Sequence, residues 1–74
     1  MQVGDTVTTK GGKLPAWDHA SCQGRWAGLE VTDGTVGTIV APASWMDDAE
    51  LGSTWWIVQC AELWTIAEEH DQLG

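Results

Sequence analysis

Apolar and polar positions change places over short runs in this chain, and no run holds a helical period long enough to make a substantial helix. Val3 to Thr9, with the β-branched stretch Thr6, Val7, Thr8 and Thr9, predicts a first strand closed by Gly11 and Gly12. Residues 11–28 contain Gly11, Gly12, Pro15, Gly24 and Gly28 without a sustained period, which predicts a long irregular first loop. Leu29 to Thr32 and Thr35 to Val40 then flank Asp33-Gly34, the residue pair that accepts the positive φ values of a two-residue hairpin turn. That hairpin pairs Val31 with Val36. It sets Leu29, Val31, Val36, Thr38 and Val40 on one face and Glu30, Thr32, Thr35 and Gly37 on the other, with Gly37 marking a bulge or a close approach by another backbone.

Beyond Pro42, Ser44 followed three residues later by Asp47 has the spacing of a helix N-terminus, and Gly52 suits a stop, so a short helix is predicted over 44–51. Trp55 to Cys60 reads as a strand with Trp56, Val58 and Cys60 on one face and Trp55, Ile57 and the wetter Gln59 on the other. Leu63 to Ile66 predicts a last strand. Ala67 to Leu73, with Glu68 and Glu69 near its start, predicts a C-terminal helical turn, since carboxylates favour the positive end of a helix. The expectation is an all-β domain over residues 1–74, a small antiparallel barrel of four or five strands.

The Val3-Gly4-Asp5-Thr6-Val7 opening, Gly34-Thr35-Val36-Gly37-Thr38-Ile39-Val40, Trp56-Ile57-Val58 and the Leu63-Trp64-Thr65-Ile66 ending resemble SH3-like small barrels of the KOW and bacterial or phage accessory type. Residues 12–28 and 42–54 depart from that pattern as insertions. What the family binds therefore does not carry over to this chain.

Composition adds constraints. The 74 residues are 43% hydrophobic, the fraction of a folded domain, yet so short a chain is near the lower limit for folding unaided, and a homo-oligomer is expected. All aromatic content is Trp, six residues, of which three or four are expected in the core and the others at a ligand or subunit surface. Met1 is followed by polar residues with no basic and apolar leader, and no apolar run approaches spanning length, so a cytoplasmic protein without a membrane is expected. Cys22 and Cys60 read as small buried hydrophobes rather than a disulfide, since reducing compartments keep lone thiols free.

Charge points to a ligand. Lys10, Lys13 and Arg25 are the only cations, and they lie in the first loop beside Trp17, His19 and Trp26, whereas residues 26–74 carry nine acids and no base. A small anionic, nucleotide-like molecule needs cations for its phosphate and a π-face for its base, which makes Lys10, Lys13, Trp17, His19, Arg25 and Trp26 the candidate binding residues. With three cations on a net charge of −8, a nucleic acid polymer is excluded because its remaining phosphates would be repelled. The sequence carries no phosphate-loop, dinucleotide or nucleophile-elbow pattern, and no enzyme is expected. No cofactor or metal is expected either: His19, Cys22, Cys60 and His70 form a possible Cys₂His₂ set only on one side, because Cys60 and His70 are too far apart in sequence. The leading expectation is capture of such a ligand for sequestration or sensing, in the cytoplasm of a host if the chain belongs to a phage and acts against a host defence system. The alternative is an acidic interaction module or inhibitor, a mimic of nucleic-acid charge, that binds a basic protein through Asp47, Asp48 and Glu50 near Trp45 and Met46.

Overall fold

A computed structural model describes residues Met1–Gly74. Six strands, β1 (Thr6–Thr8), β2 (Leu14–Trp17), β3 (Leu29–Val31), β4 (Val36–Pro42), β5 (Trp55–Cys60) and β6 (Leu63–Glu68), make one antiparallel sheet in the order β1-β4-β5-β6-β2-β3. The sheet curls into a half-barrel around Val7, Leu14, Ala16, Val31, Ile39, Val58, Cys60, Ala67 and Leu73. The all-β class and barrel-like shape follow the expectation. No helix is long and apolar enough to cross a membrane.

The first loop is not wholly irregular. Leu14 and Ala16 are buried while Pro15 is exposed and Trp17 half-buried, a period of two over four residues. Pro15 has no N–H to give to a ladder, and it is tolerated because the pairing of β2 with β6 begins only at Ala16. The Pro15 carbonyl instead accepts a hydrogen bond from the buried Thr65 hydroxyl at 2.7 Å. Residues 11–13 and 18–28 remain irregular.

The Asp33-Gly34 turn does not close a hairpin ladder. β3 pairs with β2, and β4 pairs with β1 and β5, so the turn links the edge strand β3 to β4, the strand next to the opposite edge. Thr9 occupies the place the expected partner strand would have taken. Its N–H donates to Thr35 O at 2.8 Å, its carbonyl accepts from Gly34 N at 2.8 Å, and its hydroxyl donates to Thr32 O at 2.9 Å and accepts from Thr35 N at 3.1 Å. Held apart this way, β4 is free to turn its other face inward: Gly37 and Ile39 are buried, whereas Val36 is 62% exposed and Thr38 exposed. The expected inner face of β4 is thus reversed.

Gly37 fulfils the close approach expected of it. A Cβ placed there would meet Cys60 Sγ and Val58 Cγ1 at 2.7 Å and Gln59 O at 2.8 Å, so β4 lies on β5 too closely for any side chain. Further along β4, the register to β5 shifts between Ile39 and Ala41, a bulge at Val40. A bulge puts two consecutive residues on one face. Here Val40 and Ala41 both pack on the outer side of the sheet, with buried Ala43 following.

The predicted helix over 44–51 is a single 3-10 turn, Ser44–Met46, without a side-chain cap. The Asp47 N–H donates to Ser44 O at 3.1 Å and closes that turn, but its carboxylate does not pair with Ser44. Its Oδ1 accepts from Trp55 N at 2.8 Å, and Asp48 Oδ1 accepts from Glu50 N and Leu51 N at 3.0 and 3.3 Å, so the carboxylates shape turns in preference to a helix. At the C-terminus the expected helical turn is not formed as a helix: Ala67 and Glu68 remain in β6, and a hydrogen-bonded turn follows, closed by Gln72 N donating to Glu68 O at 3.0 Å. Leu73 bridges Thr9, and Gly74 exchanges both backbone hydrogen bonds with Thr8, so the tail lies along the outer edge of β1.

No Trp is fully buried. Ile39, Val58, Thr9 and Thr65 are the largest fully enclosed side chains, and the inner core is aliphatic. Trp56 sits at its margin with its indole N–H on Glu69 Oε1 at 3.1 Å. Four indoles are half-buried against the core clusters and two, Trp26 and Trp45, are exposed, the split expected in number. Three of the four, Trp17, Trp55 and Trp64, lie on the sheet's other face.

Candidate functional site

Alternation along β5 and β6 sends Ile57 and Trp55, with Trp64 and Ile66, to the face opposite the barrel core. That face was expected to be the wetter one on the evidence of Gln59. It carries a second apolar cluster, in which Cys22, Ala43 and Ile57 are buried and Trp17, Trp55, Trp64 and Ile66 are half-buried. Outer faces of small sheets usually meet water, so an apolar outer face calls for a cover. Two segments supply part of one: residues 18–28 bring Cys22, and residues 43–54 bring Ala43, Trp45 and Met46. These are the stretches that depart from the SH3-like pattern.

Between the two covers lies a cleft of 710 Å³. Leu14, Pro15, Trp17, Trp55 and Ile66 form its floor, Cys22, Gln23 and Gly24 one wall, Trp45 and Met46 the other, and Gln72 also borders it. Its volume falls within the range of small-molecule sites, about 300–1,000 Å³. Trp45 and Met46 are 49% and 40% exposed, so this wall presents an indole and a thioether to whatever enters. The Trp17 indole N–H is the one buried side-chain nitrogen or oxygen without a hydrogen-bond partner. Leaving such a donor unpaired costs about 1–3 kcal/mol, and an arriving acceptor would recover it.

The six residues expected to bind are not all brought together. Trp17 lines the cleft and the other five do not. Lys13 and Arg25 adjoin lining residues in the chain, next to Leu14 and Gly24 respectively, while Lys10 lies by the C-terminal tail, its N–H donating to Gln72 O at 3.0 Å. All three cations are exposed, and none forms an ion pair. His19 Nδ1 is 2.7 Å from Ser21 Oγ, and Trp26 folds back so that its indole N–H donates to Leu29 O at 2.8 Å. Trp45, Met46 and Trp55 were not among the expected binding residues. For Trp45 and Met46 the signal is the departure of residues 42–54 from the barrel pattern, which places an exposed Trp-Met pair in an insertion, whereas Trp55 lies in β5 and carries no such signal.

The thiols are chemically quiet. Burial pushes Cys22 up to about 11 and raises Cys60 as well, because a thiolate loses its hydration in an apolar site. Both are free and lie in separate apolar clusters, Cys22 on the outer face and Cys60 in the barrel core. His19, Cys22, Cys60 and His70 do not gather into a group able to hold a metal ion.

His70 instead belongs to a carboxylate group at the C-terminal turn. Its backbone N–H donates to the nearly buried Glu68 carboxylate at 2.7 Å, its Nδ1 is 3.2 Å from Glu68 Oε1, and its Nε2 is 3.8 Å from Glu69 Oε2. The N-terminal amine lies 4.0 Å from Glu69 Oε1. This cluster joins the two ends of the chain and takes no part in the cleft.

No protein-family model, curated protein or solved structure shows a significant match to the chain.

Proposed function

We propose that the chain is a non-catalytic binding protein, built on an SH3-like half-barrel, that captures a small anionic ligand with a planar, nucleotide-like body. The observation that carries the reading is the cleft itself: three indoles, Trp17, Trp45 and Trp55, around a volume of 710 Å³, with unpaired Lys13 and Arg25 attached in sequence to its walls. Stacking of a base on an indole contributes about 1–3 kcal/mol and tolerates any base, while the cations meet the phosphate. This reading moves the stacking surface from the Trp17 and Trp26 pair to Trp17, Trp45 and Trp55. Trp26 already spends its N–H on Leu29.

Without a catalytic set, capture amounts to sequestration or sensing. An acidic domain of this size fits a phage or mobile-element protein that withdraws a nucleotide signal from a host defence system in the host cytoplasm. That assignment rests on analogy of scale and charge. A homo-oligomer fits the same reading, because symmetry would bring two sets of cations to one ligand.

One observation favours a second reading, an acidic module that binds a basic protein. Trp45, Met46 and Leu51, the last 79% exposed, stand among Asp47, Asp48 and Glu50. Calorimetric titration of charge variants separates the two. Lys13→Glu with Arg25→Glu abolishes heat on adding nucleotide if the first reading holds, and Glu50→Lys leaves it unchanged. Binding of a basic partner lost in Glu50→Lys and kept in the double variant would replace the first reading by the second. Asp47 and Asp48 are unsuitable for this test because their carboxylates hold the turn together.

A further inference from the structure

Residues 18–28 make almost no attachment to the body of the protein. Across this segment the only backbone–backbone hydrogen bond is internal, from Cys22 N to His19 O at 3.4 Å. Its side-chain bonds are equally local, His19 to Ser21 and Trp26 to Leu29 at the segment's own root. Every residue in it is exposed except Cys22, which is 3% exposed and packs with Ala43 and Ile57 over the outer face. Cys22 also holds a positive φ of 50°, a conformation that a side chain of this kind adopts only when its surroundings require it. Gly24 and Gly28, at φ values of 95° and 83° with open space around them, allow the chain to bend on either side of Arg25.

We propose that residues 18–28 are a strap that gates the Trp cleft and is held down over the outer face by one buried side chain, that of Cys22. Local opening free energy follows the buried contacts and backbone hydrogen bonds that must be broken, and here there is one buried side chain and no backbone–backbone bond to another element, the Trp26 indole reaching only Leu29 at the start of β3. Lifting Cys22 removes one wall of the cleft together with Gln23 and Gly24. It also uncovers the outer cluster around Trp17, whose indole N–H has no partner while the strap is down. An entering ligand with an acceptor on its planar edge pairs that N–H, so the strap's position and the ligand's occupancy are linked through one donor. Arg25 rides on the strap and is carried toward or away from the cleft with it. The gating role rests on the cleft being the ligand site. The weak fastening stands independently of that reading.

The two native thiols report the strap without any substitution. Thiolate is the nucleophile that adds to N-ethylmaleimide, and burial suppresses thiolate at both cysteines, so each is labelled only when its own surroundings open. Cys60 is the internal control, since it is enclosed under Gly37 and Val58 in the barrel core. Labelling followed by peptide mass spectrometry should modify Cys22 at least about tenfold faster than Cys60, with low urea accelerating Cys60 and leaving Cys22 nearly flat. One common rate with one urea dependence for both thiols would overturn the strap, because Cys22 would then open only with the whole fold. Repeating the measurement with millimolar adenosine and guanosine monophosphates should change the Cys22 rate and leave that of Cys60 alone. Unequal thiol rates that neither nucleotide alters would overturn the nucleotide reading of the cleft, and with it the gating role, while the single fastening remains.

Discussion

Gly37 sets how closely β4 lies on β5, and the barrel core depends on that spacing. Gly37→Ala places a methyl group 2.7 Å from Cys60 Sγ and Val58 Cγ1, so the strands must part or the side chains must leave their rotamers. Overpacking of this kind costs about 1–3 kcal/mol, and urea unfolding should show a loss in the upper part of that range. Thr9→Val keeps the shape and removes the hydroxyl that bonds Thr32 O and Thr35 N. Thr32 O keeps the Thr35 hydroxyl as a donor at 2.6 Å, so only Thr35 N loses its partner, and a loss of about 1 kcal/mol is expected in the same assay. Cys22 adds a pH term. Its folded value of about 11 lies above the ordinary 9.0, so its contribution is complete below about pH 9 and is lost as pH rises toward 11. At about 1.36 kcal/mol per unit, the wild type should lose about 2–3 kcal/mol more than Cys22→Ala over that window, measured by denaturation at each pH.

At the scale of elements, the chain reads well wherever local pattern decides and poorly where a distant partner does. β5 was legible over its whole length and β6 over Leu63 to Ile66, from their β-branched and aromatic content, whereas Ala67 and Glu68 were expected to open a helical turn. The Asp-Gly turn was legible as a turn, but its strands' partners were not. Thr9 lies more than twenty residues away in sequence, and nothing local reveals that it will enter between Thr32 and Thr35. β2 was hidden by Pro15 and by having only four residues, too few for a period to stand out. The helix over 44–51 was overcalled because Ser44 and Asp47 have the spacing of a cap, whereas Asp47 finds a better donor in Trp55 N. For the site, Trp17 and the cations were visible as a composition anomaly. Trp45 and Trp55 were not, since their convergence with Trp17 depends on β2 pairing with β6 and on the bulge in β4. The strap gives this scale its own test. Trypsin should cut after Arg25 about tenfold faster in Cys22→Ser than in the wild type, while global stability falls by far less than that ratio implies, because local opening and not unfolding exposes the bond.

On the scale of the whole molecule, an aliphatic half-barrel positions an indole-lined cleft on its outer face. The two irregular segments, residues 18–28 and 43–54, both contribute lining residues to the cleft. The charge distribution fits that arrangement: a body of −8 repels polyanions and large acidic partners, whereas three unpaired cations on the first third of the chain leave room for one small anion. Binding should therefore weaken with salt by the amount expected for one phosphate group and not for a polymer. Trp emission during titration with mono-, di- and cyclic nucleotides tests the central claim most directly, because Trp17, Trp45 and Trp55 all line the cleft. The account predicts a saturable change for at least one nucleotide, weakened about 5-fold or more in Trp45→Ala, equivalent to the loss of one stacking contact. No change with any nucleotide at millimolar concentration, or a change of the same affinity in Trp45→Ala, would contradict it.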